Sequence, residues 1–127
     1  RFIGDVHAKF DRYEQIANAA PASIQVGDFG AGFEALPQMG PQHRFIRGNH
    51  DDPAKCAQSM NWIADGTIMR GHEDGDMFFM GGATSIDHHR RTEGVDFWHY
   101  EEVTIVEGNA FIDAYERDVE KLGRFSR

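Results

Sequence analysis

Three short apolar stretches, each closed by glycine and then by polar side chains, constrain this chain more than any other feature. Phe2-Ile3 runs into Gly4-Asp5-Val6-His7, ASIQV into Gly27-Asp28-Phe29-Gly30, and Arg44-Phe45-Ile46-Arg47 into Gly48-Asn49-His50-Asp51. Brief runs of this composition, bounded by turn formers, read as strands. Between the first two lies DRYEQIANAA, where Phe10, Tyr13, Ile16, Ala17 and Ala20 recur at helical spacing. Asp11 with Glu14 forms a candidate cap, and Pro21 ends the helix. Strand, helix, strand predicts parallel neighbours joined by a crossover. Parallel neighbours bring their carboxyl ends to one edge of the sheet, where ligands bind in such folds.

The rest of the chain reads less regularly. Gly30 to Pro41 holds Gly30, Gly32, Pro37 and Gly40 and predicts a long loop. Pro53 opens a short helix through Cys56 to Ser59. TIMRG, EDGDMFFMGG and ATSID predict strands, with a tight turn at Asp74-Gly75, and add hairpins to make a mixed sheet. HHRRTEGVDFWHYEE has no period and predicts a surface loop. Thr104 to Leu122 predicts a helix. Thr104 and Glu107 form its capping box, Phe111, Tyr115, Val119 and Leu122 one face, and Gly123 its end. Gly108 weakens the first turn.

No repeat or composition shift divides residues 1–127, which read as a single α/β domain. A chain of this length buries roughly two thirds of its unfolded surface, enough for a real core. The chain begins directly in a strand without Met and stops just after a helix, so it reads as part of a longer protein. Net charge is −8, from 21 acidic and 13 basic residues, which disfavours a nucleic-acid backbone as partner. Cys56 is the one cysteine, so no internal disulfide forms; with no signal-peptide pattern, a reducing cytoplasmic setting is expected. Cys56 itself reads as a small buried residue. No stretch approaches the ~18 apolar residues of a membrane span.

Each tip alone is ordinary: Gly-Asp is a common turn, and Asn-His-Asp a common helix start. Together they gather Asp5, His7, Asp28, Asn49 and His50 at one sheet edge. Carboxylate, amide oxygen and imidazole make a mixed donor set that suits Mn, Fe, Zn, Co or Ni better than Ca. A shared aspartate can bridge two such ions ~3.5–4 Å apart, an arrangement suited to phosphate esters.

DxH, then GD, then GNHD resembles the signature of the calcineurin-like metallophosphoesterase superfamily. FFMGGATSIDHHRRTEGVDFWHYEEVT is similar to the segment after GNHD in a bacterial and phage branch of it. The resemblance runs from Phe2 to about Thr104. It implies a mixed β-sheet sandwich with flanking helices, here incomplete at the C-terminus. It implies two divalent transition-metal ions, Mn foremost, and a bridging hydroxide that attacks a phosphate mono- or diester. Asp5 and His7 would hold the first metal, Asp28 would bridge, and Asn49 would hold the second. His50 would act as a cation or general acid, with Asp51 hydrogen-bonded to orient it. Ala8 stands where the family often has glycine, and Gly30 where many members are polar. The family's later histidine and C-terminal GHxH have no counterpart; Gly71-His72-Glu73 lacks the second histidine and comes too early.

Other residues have two readings each. His88, His89 and His99 read as solvated loop residues or as replacement ligands. Arg90 and Arg91 read as a solvent-facing basic pair or as substrate-phosphate contacts. Phe97, Trp98 and Tyr100 pin the loop to the core or wall a pocket. Glu101 and Glu102 are expected to favour the dipole of the last helix. The expected activity is a metal-dependent phosphoric ester hydrolase; the rival is a catalytically impaired phosphoesterase-like domain that acts as a metal-binding or assembly module.

Overall fold

The computed structural model describes residues 1–72 and 75–125. They form an α/β chain with two small sheets and three α-helices. Strand β1 (Phe2–Ile3), helix α1 (Phe10–Asn18), strand β2 (Ser23–Val26) and strand β3 (His43–Ile46) build the first sheet unit. Its order is β1-β2-β3 and all pairs are parallel, with Phe2 opposite Ile24 and Gln25 opposite Phe45. All three polar tips therefore leave the same edge, as the strand–helix–strand order requires. The far side of β3 is closed by the segment after helix α2 (Pro53–Cys56): Phe45 N–H donates to Asn61 O (3.0 Å) and Ile63 N–H to Phe45 O (2.7 Å).

The core lies directly beneath that edge. Val6, Tyr13, Ala17, Phe29, Ala31, Phe45 and Cys56 are buried together. Phe29 is its hub, with ring centroids 5.2 Å from Phe10, 4.8 Å from Tyr13 and 4.7 Å from Phe45. Aromatic pairs at these separations add ~1 kcal/mol each beyond their burial. Two core side chains, Val6 and Phe29, are chain neighbours of Asp5, His7 and Asp28. Packing thus fixes the backbone from which those polar groups project.

The later segment differs from a single mixed sheet. Strands β4 (Thr67–His72) and β5 (Gly75–Phe79) pair antiparallel in a separate sheet, irregular between Met69 and His72. Asp74 of the expected turn, and Glu73 beside it, lie outside the described residues. ATSID is no strand: Gly82 N–H, just before it, donates to Arg47 O (3.0 Å), and its own Ala83 N–H donates to Glu101 O (3.2 Å). Its backbone is used to dock two loops, not to extend a ladder. The run after it is irregular as expected, apart from a 3-10 turn at His88–Arg90.

Helix α3 (Ile105–Phe125) starts at the expected box, with Thr104 N–H donating to Glu107 Oε2 (2.9 Å) and Glu107 N–H to Thr104 Oγ1 (3.2 Å). It continues through Gly123, which does not end it. Phe111 and Tyr115 pack on Phe78 of the hairpin, while Val119 is half exposed. The side chain of Leu122 lies outside the description. Helix α1 begins one residue early, at Phe10, and its cap position Lys9 makes no side-chain cap. Asp11 sits inside the first turn because Lys9 N–H and Phe10 N–H already bond to Val6 O and Ala8 O.

Candidate metal centre

Asp5, His7 and Asp28 meet at the shared edge, each offering a ligand atom within 4.8 Å of the others. His7 Nε2 lies 3.9 Å from Asp5 Oδ1 and 3.8 Å from Asp28 Oδ2. These gaps are too long for hydrogen bonds. Donors sharing one ion at ~2.0–2.2 Å from each stand roughly 3–4 Å apart, so the spacing suits a common ligand. The donor set, two carboxylates and an imidazole, fits a divalent transition metal. Asp5 is 86% exposed at its side chain and His7 half exposed, so the edge is open to solvent.

The backbone beneath the cluster is strained. Among the described residues, the non-glycine positions with positive φ are Asp5 (51°), His7 (45°), Ala8 (59°) and Asp28 (55°). Each such conformation costs ~1–3 kcal/mol and persists only where surrounding structure dictates it. Here His7 N–H donates to Asp28 O (2.8 Å) and Ala8 N–H to Phe29 O (3.0 Å), stitching the first tip to the second. The close approach also explains Gly30: a Cβ there would stand 2.8 Å from Ala8 Cα and 2.9 Å from Ala8 Cβ. Ala8 and Gly30, both departures from the resembled pattern, are thus packed against each other.

The third tip is joined to the second in the same way. Gly48 presses on Asp28, where a Cβ would come within 2.9 Å of Asp28 Cα. His50 N–H donates to Asp28 Oδ1 (3.3 Å), and the His50 ring stands edge-on to His7, centroids 5.6 Å apart. Asn49 lies between these two contacts and donates from Nδ2 to Ser85 Oγ. Its side-chain oxygen makes no hydrogen bond among the described residues.

Asp51 does not orient His50. Its buried carboxylate accepts from Gly30 N–H (2.6 Å), Gly48 N–H (2.7 Å), Ala31 N–H (2.9 Å) and Phe29 N–H (3.0 Å). Four donors saturate it, so it serves as the clasp between the second and third tips. Asp52, one residue on, caps α2 by accepting from Ala54 N–H (2.8 Å).

Of the arginine pair, Arg90 is exposed, and among the described residues its side chain forms no hydrogen bond or ion pair. Arg91 is the reverse of a solvent-facing residue, its side chain 5% exposed. Its guanidinium binds Glu101 Oε1 (2.6 Å) and Ser85 Oγ (2.7 Å), and reaches His50 Nδ1 at 3.2 Å. Glu101 is fully buried in this pair and does not serve the last helix. Trp98 lies at the rim, with its indole N–H 3.3 Å from His50 O and its ring over Gly32. Among the described residues no further histidine joins the cluster. His88 bonds Ser85 O, His89 is exposed, and His99 lies 3.8 Å from Glu93. Ser85 and Glu101 carried no sequence signal beyond their place in the resembled segment.

A cleft of about 940 Å³ beneath the 32–40 loop, lined by Leu36, Met39, Lys55 and Met60, contains none of the cluster residues. The cluster lies at the open sheet edge instead. Comparisons with protein-family models, curated proteins and solved structures return no match for this chain.

Proposed function

We propose that this chain is the metal-binding part of a phosphoesterase that hydrolyses a phosphate mono- or diester. The observation that carries the reading is the convergence of Asp5, His7 and Asp28, with His50 beside them, on one strained sheet edge. Asp5, His7 and Asp28 would hold one divalent transition-metal ion, Mn foremost. Asp28 and Asn49 are the groups for a second. Bound there, such an ion supplies Lewis-acid polarisation of a phosphoryl oxygen and acidifies water.

The chain's own residues divide the remaining work. Asp51 holds the second and third tips in register. His50, beside the cluster, donates a hydrogen bond to the departing oxygen as charge develops there. The open edge admits an ester from solvent. The mixed sandwich fold of the metallophosphoesterases belongs to the same reading, supported by the parallel β1-β2-β3 order.

The test is metal counting and turnover on one preparation. With Mn added, bound metal is measured by mass spectrometry, and p-nitrophenyl phosphate and its bis-ester are assayed beside Asp28→Asn. At least one metal per chain is expected. Loss of turnover in the variant should be at least about 100-fold, the upper end of what changes around metal ligands cost. A second reading, a metal-binding module without catalysis, is favoured by one observation: three ligand-type side chains cluster, enough for one ion. Stoichiometric metal with no turnover above Asp28→Asn would select it.

A further inference from the structure

We infer that Arg91 is a positioning residue for His50: it fixes the imidazole as the neutral tautomer with its proton on Nε2. The contact itself forces the assignment. A guanidinium has donors and no acceptor, so the 3.2 Å approach of Arg91 Nη1 to His50 Nδ1 is a hydrogen bond only if Nδ1 is bare. The single ring proton then sits on Nε2. The carboxylate next in sequence cannot take this part, since Asp51 is saturated by four backbone N–H groups.

Arg91 is held for the task from several sides. Its Nη2 donates to Glu101 Oε1 (2.6 Å) and to Ser85 Oγ (2.7 Å), and its Nη1 also donates to Asp96 O. Its Nε lies 3.6 Å from Asp87 Oδ1. Glu101 is in turn fixed: it is fully buried, and its Oε2 accepts from Trp98 N–H (3.4 Å). Ser85 also receives the Asn49 amide, so one hydroxyl couples the orientation of Asn49 to that of Arg91. The segment from Ser85 to Glu101 is therefore a brace behind the third strand tip. That the braced Nε2–H serves the leaving oxygen rests on the phosphoesterase reading; the tautomer does not.

The substitution that tests it is Arg91→Lys, which keeps the charge beside Glu101 but cannot span Glu101, Ser85 and His50 at once. Nitrogen-15 spectra of the histidine rings, recorded with diamagnetic zinc added, read the tautomer directly. The wild-type His50 is expected to show a bare Nδ1 and a protonated Nε2. Arg91→Lys should move the Nδ1 signal toward a tautomer mixture while circular dichroism stays unchanged. In turnover, the variant should lose roughly 10-fold or more in kcat on an alkyl phosphate, a part of the ~10²–10³ that one hydrogen-bond donor to a developing oxyanion contributes. It should lose little on p-nitrophenyl phosphate, whose stable leaving anion gains little from a hydrogen bond, and KM should stay within about twofold on both.

A wild-type spectrum with the proton on Nδ1, or a His50 spectrum indifferent to Arg91→Lys, overturns the inference. Should the lysine variant unfold, the wild-type spectrum alone still decides the tautomer. The two readings fail separately. Absent turnover with the expected spectrum removes the phosphoesterase and leaves the tautomer. Robust Asp28-dependent turnover with the wrong tautomer does the opposite.

Discussion

Asp51 shows how one carboxylate can matter to a site without touching its chemistry. It accepts four backbone N–H groups at 2.6–3.0 Å from two different strand tips, in a place with no exposure. Hydrogen bonds to a charged acceptor contribute ~1.5–3 kcal/mol, and orphaning buried donors costs a similar amount. Asp51→Asn replaces one accepting oxygen with an NH₂ that faces donors. It is expected to lower stability by about 3 kcal/mol or more in chemical denaturation. The loss of metal binding should follow the loss of fold. A variant that folds as stably as the wild type but loses turnover would instead return Asp51 to the chemistry. Cys56 makes a second residue-scale point. Burial, with Asp51 nearby, pushes its thiol well above the ordinary cysteine range. A thiol reagent at neutral pH should therefore label it only through unfolding, at a rate that tracks denaturant rather than reagent pKa.

At the scale of elements, the boundaries are set by hydrogen bonds that composition only partly encodes. The start of α3 was legible because Thr104 and Glu107 bond each other within four residues. The start of α1 was not, because Lys9 and Phe10 take their partners from a loop bent by its contacts with the second tip. The box at α3 also has a pH signature. Backbone and side-chain hydrogen bonds from Thr104 hold Glu107 below its ordinary value of 4.5. A depressed carboxyl contributes stability that is complete above its unfolded value and is lost as pH falls through its folded one. The protection of the amides over residues 105–108, taken relative to the intrinsic exchange rate at each pH, should thus be constant near neutral pH and fall only below about pH 4.5. In Thr104→Ala, which removes about 1 kcal/mol of capping, the first turn should already exchange faster at neutral pH. Equal exchange in both proteins would remove the cap from the account of this helix.

For the whole molecule, the strained tips would tie folding to a metal bound at the cluster. Asp5, His7, Ala8 and Asp28 hold left-handed conformations that bring ligand groups together before any ion is present. Binding to the folded state alone stabilises it by ~2.7 kcal/mol at a hundredfold excess over the dissociation constant. Mn is therefore expected to raise the melting temperature by several degrees, reversed by a chelator and abolished in His7→Ala. A melting curve indifferent to Mn would argue against the cluster as a metal centre. Among the described residues no helix is long and apolar enough to cross a membrane.

The sequence by itself determined the local grammar: three strands, the helices between and after them, and the polar tips at Asp5-Val6-His7, Asp28 and Asn49-His50-Asp51. These follow from periodicity and turn chemistry over a few residues, so neighbours along the chain suffice to encode them. Tertiary structure alone decided which partner each tip residue has. It turned Asp51 into a clasp, separated the hairpin from the parallel sheet, and buried Arg91 against Glu101 behind His50. The Arg91 contacts join residues 10 and 41 apart, and burial decides them: a charge taken out of water must find whatever partner the packed chain brings within reach.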